Sequence, residues 1–159
     1  MHEQPGERER NVMQVQAGAT EEAMRPGKAR CILLVDGNVD LREGLARMLA
    51  QEGVGRCSEA AGPQEALEAV RRELPELALV DLSPGTEEAL RLVEELSARN
   101  IPVLVCSMHE EPGYVRRALA AGARGYITKR EAPRDLVRAV RDVLEGWTLV
   151  SPRAAERLR

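Results

Sequence analysis

Five short apolar runs recur along this chain, each followed by a stretch in which apolar residues return every three or four positions. The runs are CILLV at 31–35, a weaker one at 54–60, LALV at 77–80, VLVC at 103–106 and YIT at 126–128. Unbroken apolarity of this length suits a strand covered on both faces, not one with a wet side. The intervening stretches carry Leu41, Leu45, Met48 and Leu49; Leu67, Val70 and Leu74; Ala89, Leu92, Val93 and Leu96; Val115, Ala118 and Leu119; and Leu136, Val140, Val143 and Leu144, all at helical spacing. Gly53 stops the first of these helices, and Pro63 stands in the first turn of the second, expected over residues 63–73. Alternation of this kind predicts a parallel sheet with helices on both faces. Five units are too few for an eight-stranded barrel. What remains is the open α/β sheet of flavodoxin-like (βα)5 type, doubly wound, with strand order 2-1-3-4-5.

This folded unit is expected over residues 30–146. Residues 1–29 are polar and without sustained period, apart from one helical turn near residues 20–24, and read as a flexible tail. Residues 147–159 read as a linker or the start of an extra helix. The formal net charge of −3 argues against a dedicated nucleic-acid binder. Cys31, Cys57 and Cys106 are odd in number, each within an apolar run, which suggests buried thiols and no disulfide framework. They lack metal-ligand spacing, and only His2 and His109 could join them. No apolar stretch reaches membrane-span length, and MHEQPGERER lacks the apolar core of a signal peptide, so a cytoplasmic protein is expected.

In a doubly wound sheet, chemistry gathers at the carboxyl ends of the strands near the switch in strand order. Here the first strand ends in Asp36, the third in Asp81, the fourth in Ser107, and the fifth runs through Thr128 into Lys129. Two carboxylates on neighbouring strands repel unless a cation stands between them. Lys129 is one of only two lysines, and hard oxygen donors of this kind also suit Mg²⁺. A carboxylate, a hydroxyl, an ammonium and a metal position describe phosphoryl transfer to an aspartate.

The stretches ILLVD, LREGLARML, LALVDLS, IPVLVCSMHE, ALAAGARGYITK and WTLVSPRAAERL carry a resemblance across nearly the whole folded part. The chain resembles the receiver domains of bacterial two-component response regulators, closest to the branch with a helix-turn-helix output domain. The resemblance implies a signalling domain, not an enzyme, with Asp81 as acceptor of a phosphoryl group from a histidine kinase. It implies Asp36 as an acidic-pocket residue, Ser107 and Lys129 as phosphoryl-binding groups, and Tyr126 as an aromatic that changes rotamer on activation. It further implies Mg²⁺ on Asp36, Asp81 and the Ser83 carbonyl. A homodimer through the last two helices, where Arg116, Arg117, Arg130, Arg134, Arg138 and Arg141 gather, is an expectation of the same kind. DNA would be reached only through an output domain that these residues do not include.

Two departures bear on the metal. The second acid usual after the first strand is Gly37 here, and DLSPGTEEAL is one residue shorter than the usual loop, with Glu87 and Glu88 where Asp-Gly is expected. Mg²⁺ is therefore expected to be weakly held or absent; Asp40, Glu87 and Glu88 stand near enough in sequence to substitute but read as solvated surface acids. The second reading is a pseudo-receiver that works as a protein–protein interaction module without phosphorylation. A dinucleotide-binding enzyme needs G-x-G-x-x-G after the first strand, where this chain has DGNVD. A hydrolase built on Ser107, His109 and Asp81 lacks the glycines of a nucleophile elbow.

Overall fold

The computed structural model describes residues 15–16, 30–83 and 85–158. Strands are β1 (Val15–Gln16), β2 (Cys31–Val35), β3 (Arg56–Ala60), β4 (Leu77–Val80), β5 (Val103–Ser107), β6 (Gly125–Thr128) and β7 (Trp147–Val150). Helices are α1 (Val39–Gln51), α2 (Pro63–Arg72), α3 (Thr86–Ala98), α4 (Pro112–Ala120), α5 (Pro133–Leu144) and α6 (Pro152–Leu158). The sheet order is β3-β2-β4-β5-β6-β7, all parallel, with β1 added antiparallel at the β7 edge. The five expected strands are β2 to β6, and their order is the doubly wound 2-1-3-4-5.

The apolar runs divide by alternate residues between two cores. Leu33, Val35, Ala78, Val80 and Val105 face α2, α3, α4 and α6, where Val70, Leu92, Leu96, Val115 and Ala155 meet them. Ile32, Leu34, Leu79, Leu104 and Ile127 face α1 and α5, where Leu49, Leu136, Val140 and Val143 meet them. Both faces of β2, β4, β5 and β6 are thus buried, which is why those runs show no polar alternation.

The structure departs from the sequence reading in several places. Leu74 lies beyond the end of α2 and is 66% exposed, so the buried face of that helix is Ala66, Ala69 and Val70. Cys57 is only half-buried, because β3 is an edge strand, whereas Cys31 and Cys106 are buried; all three are free thiols. Beyond Gly146 the chain forms a strand before any helix: β7 pairs with β6 through Gly125↔Leu149 and Tyr126↔Val150. The helical turn expected near residues 20–24 lies outside the described residues, as does most of the expected tail. Among the described residues no helix is long and apolar enough to cross a membrane.

The glycines of ALAAGARGYITK have steric causes. Gly122 adopts φ +110°, and a Cβ there would come within 2.7 Å of Ser97 Cβ. A Cβ on Gly125 would reach 2.8 Å from Leu104 Cδ1. Both close approaches let the chain turn from α4 into β6, which lies between β5 and β7.

Candidate functional site at the strand ends

The switch in strand order falls between β2 and β4, whose next residues are Asp36 and Asp81. Each continues its ladder by one bond: Asp36 N–H donates to Ala60 O and Asp81 N–H to Val35 O. The carboxylates are therefore fixed by sheet geometry, at 7% and 8% residue exposure. On the next strands, Lys129 N–H donates to Ser107 O at 2.8 Å, which locks the ends of β5 and β6 together.

Lys129 reaches across this edge. Its Nζ lies 2.8 Å from Asp36 Oδ2 and 3.2 Å from Asp81 Oδ2. One ammonium thus bridges two carboxylates that would otherwise repel. Burial pulls the Lys129 pKa down, but the hydrogen bond to Asp36 and the charges of both aspartates carry it above the usual lysine value. Asp81 goes the other way: desolvation raises its pKa and the Asp36 charge adds to this, against the lowering by Lys129 and the Ser83 backbone amide. Its Oδ1 is buried and has no hydrogen-bond partner among the described residues.

Asp36 is held more completely. Its Oδ1 accepts from Asn38 N–H at 2.8 Å, and Asn38 Oδ1 in turn caps α1 through Leu41 N–H. Arg42 Nη1 donates to the Asp36 carbonyl at 2.7 Å while its Nε holds Glu59. Sequence reasoning passed over Asn38 and Arg42. An Asn ahead of an amphipathic run is a readable cap signal; nothing local in the sequence ties Arg42 to a strand end six residues earlier.

Ser107 is fully buried at the end of β5, and its Oγ accepts from His109 N–H at 3.1 Å. Tyr126 is fully buried too, and its phenol donates to the His109 carbonyl at 2.6 Å. Burial pushes the Tyr126 pKa up to about 12, so the phenol keeps its proton. The His109 ring stacks on Tyr114 with centroids 4.0 Å apart. Together these contacts pin the loop from β5 to α4. His109 holds this loop by its backbone and its ring.

The remaining candidates are dispersed. Ser83 is exposed. Glu87 pairs with Arg117 of α4, and Asp40 faces a separate groove between α1 and α5. Glu88 alone of the three acids lines the same cavity of about 230 Å³ as Asp36, Gly37, Asp81 and Ser83. Among the described residues, no three His, Cys, Asp or Glu side chains converge as metal ligands would.

Comparison with known proteins identifies the family of this fold. Residues 32–141 match the response regulator receiver domain family. The transcriptional activator protein ExaE of Pseudomonas putida is 40% identical over 133 residues, covering 80% of this chain and 61% of that protein. The probable transcriptional regulatory protein NarL of Mycobacterium tuberculosis is 32% identical over 131 residues, covering 80% and 60%. The chain thus spans about three fifths of the length of these curated relatives. Among solved structures, a LuxR-family two-component response regulator from an Aurantimonas species superposes with a TM-score of 0.76 at 28% identity, covering 82% of this chain and 96% of that one. Fold and sequence agree, and the chain belongs to the response regulator receiver domain family.

Proposed function

We propose that this chain is the receiver of a two-component transcription regulator, with Asp81 as phosphoacceptor. The observation that carries the reading is the single ammonium of Lys129 bridging Asp36 and Asp81 at the switch in strand order. Phosphoryl transfer asks for positioning and charge neutralisation more than for covalent chemistry from the protein. Among the described residues Asp81 Oδ1 has no hydrogen-bond partner to give up. As nucleophile, it forms the new O–P bond while the P–N bond to the kinase imidazole breaks. Lys129 then offsets part of the charge that arrives. Ser107 Oγ, on the neighbouring strand, serves the phosphoryl oxygens once its hydroxyl turns toward them.

Receivers of this family use Mg²⁺, and the residues present do not fit a site of ordinary strength. Gly37 carries no oxygen where an acid is usual, Lys129 already bridges the two carboxylates, and Ser83 stands exposed. Phosphorylation is therefore slow. A specific observation favours the pseudo-receiver as a second reading: Tyr126 is fully buried and its phenol is bonded to the His109 carbonyl. A domain held in one state by such contacts would work as an interaction module. In either case the protein acts in the cytoplasm, dimerises through the arginine-bearing face of α4 and α5, and reaches DNA through an attached output domain.

The site assignment is tested by incubation with acetyl phosphate, borohydride reduction of any aspartyl phosphate, and peptide mapping. Reduction at Asp81 supports the assignment; reduction at another aspartate, or at none, contradicts it.

A further inference from the structure

We infer that Glu131 is a positioning residue that couples the turn bearing Lys129 to helix α6, so that the state of the Asp36–Asp81 site reaches the C-terminal end of the domain. The turn after β6 closes through Glu131 N–H to Thr128 O at 3.2 Å, with Lys129 inside it. The Glu131 carboxylate then makes two bonds in different directions. Oε2 accepts from the Thr128 hydroxyl, on the residue before Lys129. Oε1 accepts from the backbone N–H of Arg153, in the first turn of α6, at 3.3 Å. One carboxylate thus joins the residue next to the site's bridging ammonium to a helix 22 residues further along the chain.

Helix α6 is suited to respond. Its described apolar footing is small, Ala154 and Ala155, buried in the core cluster that contains Tyr126, Val115, Ala118 and Val150. Its entry is fixed by Ser151 N–H to the Tyr126 carbonyl at 2.8 Å. Among the described side chains of α6 these two buried methyl groups gain little from apolar burial, and the polar ties at Ser151 and Arg153 add to its hold. Both of those ties run to β6 or to the turn that follows it. A change in how Lys129 is held, by an anion on Asp81 or by loss of a carboxylate, displaces that turn, and Glu131 passes the displacement to Arg153. The inference rests on reading Asp36, Asp81 and Lys129 as one site, and needs no phosphorylation of Asp81.

The test is a mutant cycle on the full ¹⁵N-labelled chain, read from the amide resonances and hydrogen exchange of Ala154 and Ala155. Asp36→Asn keeps the side-chain shape and removes one anchor of Lys129; Lys129→Gln removes the ammonium. Each is expected to shift both resonances and to raise their exchange several-fold. In a Glu131→Ala background the shifts should fall to a third or less. Because Glu131→Ala could loosen α6 outright, Thr128→Val provides the second arm: it cuts the turn side and keeps the bond to Arg153. The coupling should fall there too, with α6 still protected. Shifts of equal size with and without Glu131, undiminished shifts in Thr128→Val, or no response of α6 to either site variant would overturn the inference. Failure of Asp81 to accept a phosphoryl group alters none of these spectra, so the two readings can fail separately.

Discussion

Lys129→Met removes the charge that bridges two buried carboxylates and keeps most of the stem. The side chains of Lys129, Asp36 and Asp81 are 13%, 9% and 5% exposed, so solvent screens the pairs only weakly. At the observed 2.8 and 3.2 Å, the two attractions are about 6 and about 5 kcal/mol with an effective dielectric of about 20. Desolvation of the ammonium takes back several kcal/mol of that sum. Removing one partner of a buried pair costs about 3–5 kcal/mol, chiefly because the other charges stay buried without it. Asp81, with its pKa already raised by burial, takes up a proton more readily than an ordinary aspartate once Lys129 is gone, so the lower end of that range, about 3 kcal/mol, is expected at pH 7. The raised Lys129 pKa places this contribution fully below the unfolded lysine value, so it is intact at pH 7 and lost only in strong alkali. Urea unfolding followed by far-ultraviolet circular dichroism measures the loss. Adding Asp81→Asn to Lys129→Met should restore a large part of it, since the buried charge left behind is then gone. A loss under about 1 kcal/mol, as exposed pairs give, or no recovery in the double variant, would refute the reasoning.

Three further outcomes follow from the same geometry. A Cβ on Gly37 would meet nothing closer than the Ala61 carbonyl at 3.7 Å, so Gly37→Asp should fold and gain Mg²⁺-dependent thermal stabilisation; no change in the melting temperature with Mg²⁺ would show that the missing acid is not the defect. Gly122→Ala forces a side chain into φ +110° and against Ser97, and should cost about 1–3 kcal/mol in urea unfolding, where a neutral result would contradict the steric account. Asp81 binds its proton more tightly folded than unfolded, so its contribution to stability is complete below the unfolded pKa and is lost as pH rises through the folded one. Asp81→Asn cannot ionise, so it should be more stable than wild type at pH 7, with the advantage vanishing below about pH 4; an advantage independent of pH would contradict that origin.

The sheet and its order were legible because Leu33 and Leu34, or Leu79 and Val80, must be buried on opposite faces, and only a two-layer cover of helices does that. The ends of those strands were legible for the same reason: Asp36, Asp81 and Lys129 are the polar residues at which apolar runs stop. Trp147–Val150 was missed as a strand because four residues with a half-exposed start carry little pattern, and their pairing is set by Gly125 and Tyr126 far back in the chain. Leu74 was assigned to a helix face by spacing alone, but α2 ends at Arg72. Arg42, His109 and Glu131 each act in part through backbone groups, which sequence spacing does not encode.

The most direct measurement is intact mass with time after addition of acetyl phosphate, across a range of Mg²⁺ concentrations, for wild type and Asp81→Asn. The expected result is slow gain of one phosphoryl group by the wild type, little accelerated by Mg²⁺, and none by Asp81→Asn. Rapid gain saturating at low Mg²⁺ would contradict the degenerate metal site, and gain by Asp81→Asn would contradict Asp81 as acceptor.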